Sequence, residues 1–340
     1  MPRAGSQRSE PAASIGRRLF LLGLGAAMWP RAGQAQPTRR RIGMLLARRP
    51  EDSEVQAFVE AFRQGLIQLG WRQNQDYELL HRWLPRDVAE ARKLAEELIA
   101  EGAEILVVLA TPYLRGARAA TSDLPIVFVA LADPVGQGFV SGLARPVRNI
   151  TGFAAEEPTL GGKWLGLLKE VAPALRHCTV VFNPESAPAV PQFLESVKST
   201  GTALSVEAAA APIRNYDDID GAIASAAKAP NGGLIFLPDA FTLARREQIV
   251  AQVERHRLPA VYYHRAYVQA GGLLSYGIDR PQQFRYAARY VHLILTGTSP
   301  ADLPVQLPTD FEMAVNLRAA KALGMEIPTS LLARADEVIE

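Results

Sequence analysis

Residues 105–136 carry two short apolar runs, Ile105–Leu109 and Ile126–Leu131, on either side of a segment with helix composition. Neither run alternates with polar residues, which is the pattern of a strand covered on both faces in a parallel sheet. Each run ends in a small polar turn, Ala110-Thr111-Pro112 and Ala132-Asp133-Pro134. Pro112 suits the first turn of a helix, where its missing N–H costs nothing, and Thr111 before it suits the N-cap. A strand therefore stops, a hydroxyl and unpaired backbone N–H groups face outward, and a helix begins. In open α/β sheets that edge is where ligands bind. A chain built from such units is expected to hold a small molecule.

The same alternation runs along most of the chain. A strand at 41–46 precedes a helix whose start reads as a Ser53/Gln56 capping box, with Val55, Phe58, Val59, Phe62, Leu66 and Leu69 at helical spacing. A strand at 77–83 and a helix capped by Asp87 follow. After Gly152 and a helix from Thr159 to Pro173, the pattern restarts with strands at 179–182, 204–208, 234–237, 260–263 and 273–276. Helices at 188–200, from a cap near Asp217, and at 242–256 lie between them. A helix at 279–295, a strand at 311–315 and a helix at 317–323 complete the chain. Strands alternating with helices at this spacing argue for βαβ units and a parallel sheet. A chain of 340 residues exceeds one compact core. Two lobes are expected: residues 36–152 with 279–308, and 153–278 with 309–340. Three passages, near Thr151, Ile278 and Thr309, would hinge them around a cleft. One continuous large sheet is the alternative.

The N-terminus reads as a targeting segment. Arg17-Arg18-Leu19-Phe20-Leu21 has the twin-arginine pattern, an apolar stretch covers 19–29, and Gly33 and Ala35 suit a signal peptidase. Residues 1–35 are expected to be removed on export, leaving a periplasmic protein. The apolar stretch is too short to span a bilayer, which disfavours a membrane anchor. The net charge of +2 is concentrated there, since the remainder holds 32 basic and 34 acidic residues. No basic block is left to track nucleic acid. The one cysteine, Cys178, lies in an expected strand and reads as a small core residue.

No phosphate loop and no dinucleotide fingerprint follows the first strand. The five histidines, His81, His177, His256, His264 and His292, lack ligand spacing, and Ser275 misses the nucleophile-elbow pattern. No catalytic residue, metal site or cofactor is expected. The polar residues at strand ends carry the binding expectation. Thr111 and the N–H groups behind it suit a carboxylate, because a helix N-terminus carries partial positive charge and free donors. Asp133 suits an ammonium group, and Asn183 and Asp239 hold corresponding positions in the second half. Each of the four also reads as a plain cap or turn former. Among the aromatics, Tyr262, Tyr263 and Tyr276 lie at strand ends, as does Trp83. Tyr276 is the preferred ligand contact, whereas Trp164 falls on an apolar helix face and is expected in the core.

Ordered motifs across 40–340 extend this reading. They are A-F-R-Q-G-L-I-Q-L-G-W (61–71), A-T-P (110–112), L-P-I-V-F-V-A-L-A-D-P-V-G (124–136) and N-I-T-G (149–152) in the first half. The second half has K-W-L-G-L-L-K-E-V-A-P (163–173), F-N-P (182–184), A-G-G-L-L-S-Y-G (270–277) and A-K-A-L-G-M-E-I-P-T-S-L-L-A-R-A-D-E-V-I (320–339). In these the chain resembles the tryptophan/tyrosine-type substrate-binding proteins of ABC importers. The resemblance implies a type I periplasmic-binding fold: two flavodoxin-like lobes with parallel sheets, closing on one small molecule. It also implies a membrane permease as partner, with the binding protein acting as a monomer, and it places Thr111, Asp133, Asn183, Asp239 and Tyr276 at the cleft. Two departures stand out, the charged loop 47–52 and Tyr113-Leu114-Arg115 after Thr-Pro; Arg48 or Arg115 near the cleft would favour an anionic or larger ligand. A periplasmic sensor module and a twin-arginine-exported enzyme are the competing functions.

Overall fold

The computed structural model describes residues 39–46, 49–83, 87–146, 148–155, 157, 159–185 and 189–340. The signal segment expected at 1–35, with Arg17 and Arg18, and the position of Arg48 lie outside the described residues. The first lobe runs β1 (Arg40–Leu46), α1 (Ser53–Gln68), β2 (Tyr77–Trp83), α2 (Val88–Ala100), β3 (Ile105–Leu109), α3 (Thr111–Ala120), β4 (Ile126–Leu131) and β5 (Ile150–Ala154). Its five strands form a parallel sheet in the order β2-β1-β3-β4-β5. Every residue of β3 is buried, which explains its unbroken apolar run. One face of the sheet meets Phe58 and Phe62 of α1, and the other meets Leu98 of α2 and Leu114 of α3. The cap of α1 is Asp52 and not Ser53: its carboxylate accepts from the Glu54 N–H at 2.9 Å.

The second lobe runs α4 (Leu160–Val171), β6 (His177–Phe182), α5 (Val190–Leu204), β7 (Glu207–Pro212), α6 (Tyr216–Ala226), β8 (Gly232–Phe236), α7 (Ala240–Ala244), α8 (Arg246–Arg255), β9 (Ala260–Tyr262), α9 (Arg265–Gln269) and β10 (Leu274–Ile278). The chain then enters α10 (Arg280–Leu295), whose Phe284 stacks on Phe58 of α1 at 5.0 Å in the first lobe. It returns as β11 (Phe311–Asn316), α11 (Leu317–Ala322), α12 (Thr329–Leu332) and β12 (Glu337–Ile339). The strand order is β12-β11-β10-β9-β8-β6-β7. The sheet is parallel, as expected, except at one pair: β11 runs antiparallel to β10. A strand that leaves a lobe and one that re-enters it beside the first must run in opposite directions. Trp164 is in the core as expected, 5.3 Å from the Phe193 ring, with its indole N–H donating to the Tyr276 carbonyl at 2.6 Å. Cys178 is buried too, and burial pushes its thiol pKa up.

The passages between lobes are tied to one another. β5 keeps pairing with β4 as far as Ala154, two residues beyond the boundary expected at 152. Gly152 permits this pairing, because a Cβ there would collide with the Phe128 carbonyl oxygen. The Gln283 side chain of α10 donates to the Ala154 carbonyl at 2.7 Å. Gln306 N–H donates to Gly152 O at 3.0 Å, and Asp279 N–H donates to Asp310 O at 3.1 Å.

Candidate functional site at the strand ends

In the first lobe the site begins where β3 meets α3. The residue capping α3 is Ala110 and not Thr111, and it holds φ +73° and ψ +159°. That region is nearly reserved for glycine and costs other residues on the order of 1–3 kcal/mol. Alanine has no side chain with which to cap, so α3 begins without a side-chain hydrogen bond to its first turn. Thr111 is the first helical residue, half-buried at the end of β3. Beside it, β4 bulges at Ala130 (φ +54°) and turns at Asp133 (φ +40°). Asp133 binds its own turn, Oδ1 accepting from the Gly136 N–H at 2.8 Å. The Gln137 side chain braces this turn by donating to Ala132 O at 2.6 Å, and it accepts from the exposed Arg115 at 3.0 Å.

In the second lobe the structure brings Asn183 and Asp239 together, both buried, at the ends of the neighbouring strands β6 and β8. Asp239 caps α7. Its Oδ1 accepts from the Thr242 N–H at 2.7 Å and its Oδ2 from the Thr242 hydroxyl at 2.9 Å. Burial raises its pKa, opposed by these donors and by the backbone N–H groups of Asn183 and Phe241. Asn183 accepts from the Glu185 N–H at 2.8 Å. Tyr263, at the end of β9, donates its hydroxyl to Asp239 O at 2.6 Å. Tyr262 is a core residue, contrary to the cleft-lining expectation, and its ring stacks on Tyr267 at 4.5 Å. Tyr276 stands apart from Asn183 and Asp239. Its ring stacks on Phe311 at 5.4 Å, with the Lys163 ammonium 5.7 Å from its centroid. Trp83 stacks on His81 at 5.2 Å on the edge strand β2.

Two residues that sequence reasoning passed over meet between the lobes. His264, after β9, donates from Nε2 to Glu54 Oε1 of α1 at 2.8 Å. Glu54 had no signal beyond being acidic in a first helical turn, and His264 is one histidine among five. Ala110 had none at all, since alanine does not advertise a left-handed backbone. Among the described residues no group of three His, Cys, Asp or Glu side chains could hold a metal ion. The Ser275 hydroxyl is buried with no hydrogen-bond partner.

Two α/β lobes joined by three passages have the type I periplasmic-binding fold, which solved periplasmic binding proteins share. Residues 51–339 match the family model of the ABC transporter substrate binding proteins, and the chain belongs to that family. It is 23% identical over 286 residues to a tyrosine-binding protein of Clostridioides difficile strain R20291, covering 84% of this chain and 80% of the relative. A conserved domain protein from Vibrio cholerae superposes with a TM-score of 0.75 at 28% identity, covering 88% of this chain and 99% of the other. An ABC domain from Streptococcus pneumonia in complex with L-Trp superposes with a TM-score of 0.77 at 22% identity, covering 89% and 100%.

Proposed function

We propose that the protein is exported, captures a small carboxylate-bearing solute such as an amino acid between its lobes, and presents it to an ABC permease. The observation that carries this reading is the start of α3. A helix N-terminus with alanine as its cap leaves backbone donors and positive potential at a strand end, where a ligand carboxylate can take the place of the missing capping group. Thr111 adds its hydroxyl from the same edge. Asn183 and Asp239 offer acceptors from the second lobe, with Asp239 held by Thr242. On this reading Asp133 and the exposed Arg115, both tied to the turn after β4, form the outer part of the site, where the guanidinium suits a second anionic or larger group on the solute. Tyr276 is the weakest of the expected contacts, because its ring is stacked on Phe311. In this reading closure is the mechanism: ligand stabilises the closed state, and the permease distinguishes it from the open one. The relatives that bind tyrosine and L-Trp favour amino acids as the first class to try.

A thermal-shift screen against amino acids, carboxylates, purines and sugars tests the reading. A ligand at about a hundred times its Kd stabilises the fold by about 2.7 kcal/mol. A hit confined to carboxylate-bearing solutes is expected, and a hit confined to sugars or purines contradicts the proposal. Export is tested separately by Arg17→Lys with Arg18→Lys, which should hold the precursor inside the cell. Normal export of that double variant removes the twin-arginine route.

A further inference from the structure

We propose that Glu54 and His264 form a latch that holds the two lobes closed and so sets ligand affinity. The link to affinity rests on the closing-cleft reading above, whereas the latch itself does not. The hydrogen bond from His264 Nε2 to Glu54 Oε1, 2.8 Å long, joins α1 of the first lobe to the end of β9 in the second. The side chains are 6% and 17% exposed.

Each partner is fixed from its own side. The Glu54 backbone is held by the Asp52 carboxylate, which accepts its N–H at 2.9 Å. The imidazole is held by its role as the cap of α9, Nδ1 accepting from the Ala266 N–H at 3.2 Å. A nitrogen that accepts carries no proton, so the N–H is on Nε2, aimed at the carboxylate. The pair therefore needs little ordering when the lobes meet. A carboxylate–imidazole contact in open water contributes little, but here water is largely kept out. Opening must break it, since a hydrogen bond is lost once its partners move beyond about 3.5 Å. Both groups then hydrate, so the bond favours one state of the hinge over the other. The adjacent Arg265 pairs with Glu312 of β11 at 3.3 Å, which anchors the histidine's segment to the strand that re-enters from the hinge.

The test measures closure with no ligand present, so that its failure is distinct from failure of the ligand reading. Spin labels at the exposed positions Lys93→Cys and Lys198→Cys, one in each lobe of the full chain, report the interlobe distance by pulsed electron resonance. Glu54→Ala removes the acceptor. His264→Asn is the informative partner: asparagine is a good cap, so α9 keeps its start, but the shorter side chain cannot reach Glu54. A hydrogen bond to a charged group corresponds to a ten- to hundredfold change in an equilibrium. Each single variant should shift the closed-to-open ratio toward open by that factor, and the double variant should go no further than either. Glu54→Gln, which keeps an oxygen acceptor without the charge and guards against misfolding of the alanine variant, should fall between. The proposal is overturned if the singles leave the distance distribution unchanged. It is also overturned if their shifts multiply in the double variant, or if the unmutated chain is already wholly open.

Discussion

Asp239 holds two tasks in one carboxylate. It caps α7 through Thr242, and on the proposed reading it also accepts from the ligand. Asparagine caps about as well as aspartate, so Asp239→Asn should change the melting temperature little while weakening ligand binding roughly ten- to a hundredfold. Asp239→Ala loses the cap as well and should cost about 1–2 kcal/mol by chemical denaturation. Unchanged affinity in Asp239→Asn would leave the residue a purely structural cap. Glu312 gives a pH prediction whose sign is fixed by its environment. Burial pushes its pKa from the ordinary 4.5 up to about 7, against the pull of Arg265. The folded chain thus holds this proton more tightly than the unfolded one, so stability falls as pH rises from 4.5 toward 7 and levels off above. Glu312→Gln removes that decline. Relative to the parent it should gain on the order of 1–3 kcal/mol between pH 4 and pH 8 in denaturation midpoints. A parallel pH dependence in parent and variant would show that Glu312 ionises freely.

At the scale of elements, the clearest constraint is the junction of β3 and α3. Glycine adopts the backbone of Ala110 without strain, so Ala110→Gly should raise stability by on the order of 1 kcal/mol. Gly152→Ala should do the opposite, since its Cβ meets the Phe128 carbonyl and the β4–β5 pairing must shift. Denaturation of both variants checks the pair. The same junction shows what could be read from residue order. β3 and β4 were legible because burial on both faces leaves an unbroken apolar run. α10 was legible too, because Asp279 caps it and apolar residues recur along it. β7 lies at Glu207–Pro212 rather than the expected 204–208: its residues, Glu-Ala-Ala-Ala-Ala-Pro, form a largely exposed edge strand with no apolar pattern, next to Leu204 and Val206, which attract the assignment. The helix expected at 242–256 breaks at Arg245 into α7 and α8, and the five-residue α9 is too short to show periodicity. Of the site, the strand-end residues were legible as positions but not as contacts. Asn183 meets the Asp239 carboxylate through its backbone N–H, and Glu54 reaches His264 across a long sequence separation that no local pattern encodes.

At the scale of the whole molecule, the proposed function requires the lobes to move against each other about three tied passages while each keeps its own sheet. Gln283 on Ala154 and Asp279 on Asp310 brace the passages, so bending is expected to concentrate in the few residues between these bonds. Ligand should compact the protein modestly in solution scattering as the lobes close. The central claim is that the uncapped start of α3 receives a solute carboxylate between those lobes. Isothermal calorimetry of the strongest ligand from the screen, beside the same molecule with its carboxylate converted to an amide, tests it most directly. The account predicts saturable binding of the acid and a ten- to hundredfold weaker Kd for the amide, the loss expected when a charged hydrogen bond is removed. Equal affinity for acid and amide would contradict it.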